Sequence, residues 1–270
     1  MIMPRKAFVA LQRTLALAAI MLPLWVLASL WLELPSATAI SLLVTALAWK
    51  WWQQQLRHIF RVKKFSPVIP GRLYRSGQIS RYRIARTLRQ HGIQRVIDLT
   101  ELGDNPDRHQ RAEELAIRQL GIDGQRFPMH GNGTGDIAMV AGAIAAIHGA
   151  IRSNQPALVH CAAGVQRTGH VLSAYLLLVE RSSPTAVFQF MTHFGWEPGD
   201  GNGWPAQLNQ RMQALAVTLY RQGIIDEIPS PVPQLPLAPV AVFKPWWKLH
   251  HHLLAPIPCQ HQLCPERRLT

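Results

Sequence analysis

Two long apolar segments stand out in the pattern of hydrophobic and polar positions along this chain. The first is uncharged over residues 14–32, and the second over residues 37–49. A helix of about 20 apolar residues crosses a bilayer, and tryptophans close both segments as they do at membrane interfaces. The pattern predicts two transmembrane helices, at about 14–32 and 35–52, within a membrane anchor of residues 1–53. A cleaved signal peptide in the first segment and an interfacial helix in the second are the alternatives.

Basic residues flank both apolar segments. The chain has 28 Lys and Arg against 15 Asp and Glu, a net charge of +13, and no acid lies between Lys50 and Arg95. Positively charged flanks stay in the cytoplasm, so the pattern predicts a multi-pass protein of the inner membrane whose main domain faces the cytoplasm. The basic linker at residues 54–64 would contact the anionic membrane surface. A nucleic-acid partner is not expected, because no nucleic-acid-binding motif accompanies the charge.

Short apolar strands alternate with helical segments between residues 65 and 228. Strands are predicted at residues 72–74, 96–99, 126–129 and 157–160, and helices at residues 80–91, 108–120, 137–152 and 168–179. This alternation is typical of an α/β domain with a central, mostly parallel sheet flanked by helices. With 48% apolar residues, the chain can bury a sizeable core, which excludes disorder over its whole length.

The composition changes at residue 229, where prolines become frequent. Proline interrupts regular structure, so we expect residues 229–270 to form an extended or disordered tail. The tail holds His250–His252, Cys259, His261 and Cys264, but their spacing fits no zinc pattern well, and no metal is expected. Three cysteines in 270 residues also exclude a disulfide scaffold.

The segment with a chemical signal follows the predicted strand at residues 157–160. Cys161 comes at the end of this strand, five loop residues follow, and Arg167 and Thr168 begin the next helix. Successive backbone N–H groups of such a loop converge on an anion, and the helix N-terminus adds its partial positive charge. Gly164 permits the tight turn. Nearby cations and the helix terminus would favour the thiolate of Cys161, which predicts a nucleophile facing a bound phosphate.

The order His-Cys-x5-Arg-Thr at residues 160–168 resembles the signature of cysteine-based tyrosine and dual-specificity phosphatases. The sequence GRLYRSGQ at residues 71–78 and VIDL at residues 96–99 add to this resemblance. It covers about residues 65–221 and is similar to bacterial atypical dual-specificity phosphatases. We refer to residues 161–167 as the signature loop.

The resemblance implies a role for each residue of the signature. Cys161 would attack phosphorus and form a phosphocysteine intermediate, which water then hydrolyses. Arg167 would hold the equatorial oxygens, Thr168 would hydrogen-bond the sulfur and help it leave, and His160 would orient the loop and tune the thiol. Backbone groups that would bind the phosphate oxygens belong to Ala162, Ala163, Gly164, Val165 and Gln166. Neither a metal nor an organic cofactor is implied.

The general acid is harder to assign. Relatives place an aspartate on a loop upstream of the cysteine, and Asp136 in the sequence GNGTGD is the candidate. Asp136 also precedes a predicted helix, where an aspartate is a natural N-cap and is favoured in its ionised form. Asp104 and Asp107 are the alternatives. Gln207 is a weaker candidate for positioning the hydrolytic water, and Tyr74 and Arg75 are expected to be structural.

The substrate class follows less directly from the sequence. Relatives that act on polyphosphorylated inositols often have lysines in the signature loop, whereas this loop is uncharged before Arg167. That favours a monophosphate on a protein, and hence a protein-tyrosine or dual-specificity phosphatase. The predicted membrane anchor favours a lipid phosphate instead, and a catalytically weak phosphate-binding module is a third hypothesis. The sequence indicates no oligomeric state.

Overall fold

A computed structural model describes residues 34–51, 62–101, 107–198 and 203–237, together with Pro23, Trp25 and Val26. The chain divides into two compact units, residues 1–61 and residues 62–270. In the first unit, helix α1 comprises Leu34–Trp51. Its bounds agree closely with those of the second predicted helix, residues 35–52.

Helix α1 corrects the membrane prediction. Its 18 residues extend about 27 Å, short of a hydrocarbon core of about 30 Å, and they include four Ser or Thr residues and Lys50. Among the described residues, no helix is both long and apolar enough to span a bilayer. The transmembrane helix expected at residues 35–52 is therefore wrong, and so is the multi-pass location in the inner membrane. The other expected span, residues 14–32, lies outside the described residues apart from three positions.

A five-stranded sheet forms the centre of the second unit. Its strands are β1 Ser66–Ile69, β2 Leu73–Gly77, β3 Arg95–Asp98, β4 Asp123–Arg126 and β5 Ala157–Cys161. Their order across the sheet is β1-β2-β5-β3-β4. Strand β1 pairs antiparallel with β2, whereas β2, β5, β3 and β4 are parallel. The predicted α/β class is confirmed, with a mixed sheet that is antiparallel only at the β1 edge.

Six helices accompany the sheet in the described part of this unit. They are α2 Ile84–Gln90, α3 Arg108–Leu120, α4 Ile137–Arg152, α5 Gln166–Leu178, α6 Pro184–His193 and α7 Trp204–Arg221. Local sequence explains several of their ends. The Asp107 side chain caps α3 with a capping box, Gly121 ends α3 in the left-handed conformation, and Asp136 caps α4.

Both faces of the sheet are buried. Val96 and Leu158 face a cluster that includes α2 and α3, whereas their neighbours Ile97 and Val159 face the larger cluster of α4 to α7. Alternate side chains of a strand point to opposite faces, so a central strand covered on both sides is apolar throughout. All five residues of β5 are buried. The end of β5, where Cys161 lies, is thereby fixed by packing on both sides.

Several boundaries differ from the sequence-based expectation. The fourth strand lies at residues 123–126 instead of 126–129 because it pairs in register with all of β3. Within the predicted Pro-rich tail, Leu235 is buried and exchanges two hydrogen bonds of 2.8 Å with the Asn209 side chain on α7. Residues 238–270, including the histidines and cysteines of the tail, lie outside the described residues. The domain limits at residues 65 and 228 stay a prediction.

Candidate active site

The sulfur of Cys161 lies at the carboxyl end of β5, where the chain turns into α5. Cys161 is opposite Gly77 of β2 in the parallel register. The backbone N–H of Gly164 donates a hydrogen bond to the Cys161 Sγ at 3.2 Å, and the N–H of Gln78 donates to the Ala162 carbonyl at 3.1 Å. The signature loop therefore curls back over its own cysteine and is held against the end of β2.

Gly164 is the residue that permits this turn. Its φ is +67°, and a Cβ there would lie 2.5 Å from the Gly77 nitrogen and 2.7 Å from the carbonyl carbon and oxygen of Ser76. Backbone cannot move aside as a flexible side chain does, so any larger residue would push the loop away from β2. The glycine predicted for a tight turn thus also serves a close approach of two backbone segments.

The surroundings of Cys161 favour its thiolate. Burial raises the pKa of the Cys161 thiol, but hydrogen bonding from the hydroxyl and backbone of Thr168 lowers it. The charge of Arg167 and the N–H of Gly164 act in the same direction. Together they place the pKa of the thiol below that of an ordinary cysteine, which is the condition for a nucleophile near neutral pH.

The first turn of α5 brings the other predicted residues to the same place. Arg167 is half-buried, and its Nη1 donates to the Met129 carbonyl at 3.4 Å. Thr168 is fully buried behind the cysteine, whereas Ala162 and Ala163 are exposed at the mouth of the loop. The first turn of α5 and the signature loop thus combine a buried sulfur, the Arg167 guanidinium and a rim formed by the uncharged Ala162 and Ala163.

His160 points away from the sulfur into a buried polar network. Its Nε2 lies 3.0 Å from Oε1 of Glu113 and 3.8 Å from Oδ1 of Asp98. Burial lowers the pKa of His160, but the charges of Glu113 and Asp98 prevail and raise it to about 9. Asp98 also accepts from Nε of Arg126 at 2.8 Å. The imidazolium thus anchors β5, next to Cys161, to α3 and β3.

This network is the one place in the described residues where three metal-ligating groups converge. Asp98, Glu113 and His160 each offer a ligand atom, and these atoms lie within 4.8 Å of one another. The positive charges of the His160 imidazolium and of Arg126 already balance the two carboxylates, and a protonated imidazole does not ligate a metal. The chemistry of the donors therefore does not suit a cation, and the absence of a metal remains a prediction.

The loop before Asp136 packs against the start of α5. Gly133 is so close that a Cβ would lie 2.9 Å from the Trp204 ring and 3.0 Å from the Gln166 backbone. Its carbonyl lies 2.8 Å from Nδ1 of His170, and burial lowers the pKa of His170 to about 4, so the neutral imidazole donates this bond. Asp136 itself is exposed.

Helix α7 holds the same loop from the other side. Gln207 Oε1 accepts from the Gly135 N–H at 3.2 Å, and Arg211 Nη1 donates to the Gly135 carbonyl at 2.9 Å. Gln207, a candidate for positioning water, thus fixes the backbone next to Asp136. These anchors bring the Asp136 loop to the side of the signature loop where α5 begins.

The alternative acids are placed differently. The Asp107 carboxylate accepts from the N–H groups of His109 and Gln110 and from the Gln78 side chain. Burial raises the pKa of Asp107, but these hydrogen bonds outweigh it and keep the pKa below its ordinary value, which opposes proton donation. Asp104 lies outside the described residues.

Two basic residues near the cysteine were not assigned a functional role from the sequence. Arg75, expected to be structural, is completely buried in β2, and its Nη2 donates to the Gly164 carbonyl. Lys64 Nζ donates to the Phe194 carbonyl at 2.6 Å. The position of Arg75 in the sequence GRLYRSGQ indicated such a role, because a charged residue inside a buried strand requires an interaction that compensates for its burial.

Comparison with known families agrees with this geometry. A family described as "Polymorphic toxin system, DSP-PTPase phosphatase" matches residues 76–180, a stretch that runs from β2 past the signature loop to the end of α5. Residues 76–180 therefore form a domain of the cysteine-based tyrosine and dual-specificity phosphatase superfamily. This phosphatase is accordingly a cysteine-dependent hydrolase, as predicted from its signature.

Three solved structures illustrate the proteins to which this phosphatase is similar. The core catalytic domain of the PP-IP phosphatase SIW14 from S. cerevisiae is 17% identical with a TM-score of 0.48, covering 60% of this chain and 94% of that one. P. aeruginosa TpbA is 21% identical with a TM-score of 0.45, covering 58% and 95%. A DUF442 phosphatase from Shewanella putrefaciens CN-32 is 22% identical with a TM-score of 0.48, covering 60% and 96%. No curated protein matches the chain.

Proposed function

We propose that this phosphatase hydrolyses phosphate monoesters on proteins through a phosphocysteine at Cys161. The observation that carries the proposal is the position of the Cys161 sulfur, which receives the Gly164 N–H at 3.2 Å under a loop that ends in Arg167. A thiolate at the centre of converging N–H donors suits attack on a bound phosphoryl group.

The first step transfers the phosphoryl group to sulfur. The Cys161 thiolate attacks phosphorus, an S–P bond forms, and the P–O bond to the leaving alcohol breaks. Arg167 binds the equatorial oxygens and stabilises their charge. Asp136 gives its proton to the leaving oxygen, so the alcohol departs neutral and Asp136 becomes a carboxylate.

The second step returns the enzyme to its starting state. Water attacks phosphorus, Asp136 takes a proton from that water, and the S–P bond breaks to release inorganic phosphate and the thiolate. The hydroxyl of the buried Thr168 lowers the pKa of the Cys161 thiol and so stabilises the thiolate as it leaves. His160 acts on the reaction through the backbone, since its side chain points to Glu113.

The signature loop supports a protein phosphomonoester as substrate. The side chains between Cys161 and Arg167 carry no charge, and Ala162 and Ala163 are exposed at the rim. A loop of this kind offers one binding site for a single phosphate and leaves space for a bulky aryl or peptide group. The lipid-phosphate alternative loses its main support, because the membrane location that favoured it is wrong.

A substrate comparison with the full chain tests the proposal. Wild type and Cys161→Ser are assayed with an aryl phosphate, phosphotyrosine and phosphoserine peptides, and a short-chain phosphoinositide. We expect turnover of the aryl phosphate and of phosphotyrosine peptides by wild type, and none by Cys161→Ser. A folded wild type that binds phosphate but turns over none of the four would instead support the phosphate-binding module. A preference for the phosphoinositide would contradict a protein substrate.

A further inference from the structure

Arg75 is a buried cation without a carboxylate partner. The side chain is 0% exposed, and no acid of the described residues forms an ion pair with it. Of its three guanidinium nitrogens, Nη2 donates to the Gly164 carbonyl, whereas Nε and Nη1 have no hydrogen-bond partner among the described residues. An unpaired buried charge is strongly unfavourable in a protein core, so its retention needs a compensating interaction.

Aromatic rings provide only part of that compensation. The guanidinium carbon lies 3.8 Å from the ring centroid of Phe194 and 5.2 Å from that of Phe190. A cation–π contact of this kind contributes a modest stabilisation. Burial lowers the pKa of Arg75 to about 9, because removal from water disfavours the charged guanidinium.

Among the described residues, the anion that acts on the charge of Arg75 is the active-site thiolate. The charge of Cys161 acts against the effect of burial and raises the pKa of Arg75. The two residues lie on neighbouring strands, with Arg75 opposite Val159 and Gly77 opposite Cys161. The cation is therefore buried against the signature loop, whose Gly164 carbonyl accepts its hydrogen bond.

We propose that Arg75 is a positioning residue of the phosphatase reaction: it holds the signature loop through the Gly164 carbonyl and stabilises the Cys161 thiolate. The proposal rests on Cys161 being the nucleophile. Gly164 links the two effects. Its carbonyl accepts a hydrogen bond from Arg75, and its N–H donates a hydrogen bond to the Cys161 sulfur. Fixing that residue fixes a donor of the thiolate.

Other charged groups also act on Cys161 and define the background for a test. Arg167 lies on α5, Lys64 precedes β1, and the His160 imidazolium is held by Glu113 and Asp98 behind β5. Burial and the Arg75 charge lower the pKa of Lys64. Arg75 differs from the His160 imidazolium, which pairs with Glu113 and Asp98, because no carboxylate of the described residues forms an ion pair with Arg75.

The test measures the pKa of the Cys161 thiol independently of turnover. Alkylation of Cys161 by iodoacetamide is followed as a function of pH in the full chain, with peptide mapping to separate it from Cys259 and Cys264. In Arg75→Met we expect the pKa of Cys161 to rise by about one unit or more, as after loss of a nearby cation. At a pH below both values, kcat/KM for an aryl phosphate should fall at least about tenfold.

Arg72→Met is the matched control. Arg72 comes just before β2 and likewise donates from Nη2 to a backbone carbonyl, that of Ile151, at 2.6 Å, but at the end of the strand away from the cysteine. This variant should leave the pKa of Cys161 and the pH profile of kcat/KM unchanged. An unchanged pKa of Cys161 in a folded Arg75→Met variant would overturn the proposal, as would an equal shift in both variants.

If Arg75→Met does not fold, Arg75→Lys tests the proposal with the same two measurements. Lysine keeps a cation but lacks the planar fork, so we expect a smaller rise in the pKa of Cys161 than in Arg75→Met and a correspondingly smaller loss in kcat/KM. Wild-type values for both measurements would contradict the proposal. A wild type that hydrolyses no ester would refute the proposed function alone, since alkylation still reports the effect of Arg75 on the thiol.

Discussion

The imidazole Nε2 of His160 lies 3.0 Å from Oε1 of Glu113, and both side chains are buried. This contact joins β5, directly before the nucleophile, to helix α3 on the far face of the sheet. The histidine of the signature therefore works from the side opposite the phosphate. It holds the strand in place instead of contacting the substrate.

The first prediction concerns the pH dependence of stability. Since the folded-state pKa of His160 is about 9 against a usual 6.5, the ion pair stabilises the fold fully below about pH 6.5, and this contribution is lost as the pH rises through 9. Glu113→Gln should lower the free energy of unfolding by about 3 kcal/mol at pH 6.5. The loss should be smaller at pH 9.5, as measured by urea unfolding.

Glu114→Gln on the same helix is the control for that experiment. Glu114 lies 3.5 Å from Arg126 at a partly exposed position, where an ion pair contributes about 0–1 kcal/mol. Its replacement should change stability little at either pH. A Glu113→Gln variant with the same pH dependence as wild type would show that His160 is not held as an imidazolium.

A second prediction concerns the close approach of the signature loop to β2. In Gly164→Ala, the new Cβ would meet the backbone of Ser76 and Gly77 within 2.7 Å at a φ of +67°. We expect a loss of about 4 kcal/mol of stability, from backbone strain and overpacking together, and loss of activity. Differential scanning calorimetry and the aryl phosphate assay measure the two effects.

Gly71→Ala separates strain from overpacking. Gly71 has a φ of +72° but no atom within 4 Å of its hypothetical Cβ. Only strain applies there, so we expect a cost of about 1 kcal/mol and full activity. Equal effects of the two substitutions would mean that the contact with β2 does not matter.

A third prediction tests Asp136 as the general acid. Asparagine is a good N-cap, so Asp136→Asn keeps the cap on α4 and removes only the ionisable proton. Its kcat for phenyl phosphate should fall by about 10²–10⁴, and much less for p-nitrophenyl phosphate, whose leaving group needs no proton. Steady-state kinetics with both esters give the comparison.

Asp107→Asn provides the comparison at the second candidate. Asp107 caps α3 through a capping box and accepts from two backbone N–H groups, whereas Asp136 accepts from one, and the hydrogen bonds of Asp107 keep its pKa low. We expect both esters to be hydrolysed at wild-type rates. A leaving-group dependence that appears in Asp107→Asn instead of Asp136→Asn would reverse the assignment.

The sequence predicted the parts of the fold that local signals determine. Helix α3 has the predicted bounds, residues 108–120, and Asp136 caps α4 as the sequence predicts. The strand at 126–129 was placed too late, because its position is determined by pairing with β3 and its own residues alternate poorly. Likewise, the apolar pattern of helix α1 predicted a membrane span. Its length of 18 residues and its Ser and Thr hydroxyls do not suit one.

The residues of the candidate site also differ in how far the sequence predicts their position. Cys161, Arg167 and Thr168 are close in sequence, so their spacing alone brings them together. Arg75 and Glu113 reach the site through strand pairing and helix packing over long sequence separations. The sequence shows that they are charged but not which charges they meet.

The central claim is a covalent phosphocysteine at Cys161, and trapping it is the most direct measurement. The full chain is mixed with a radiolabelled aryl phosphate and quenched in detergent within the first turnover, beside Cys161→Ser and the neighbouring control Ala162→Ser. We predict label on wild type and Ala162→Ser, located at Cys161 by peptide mapping, and none on Cys161→Ser. Turnover without label on wild type, or equal turnover by Cys161→Ser, would contradict the account.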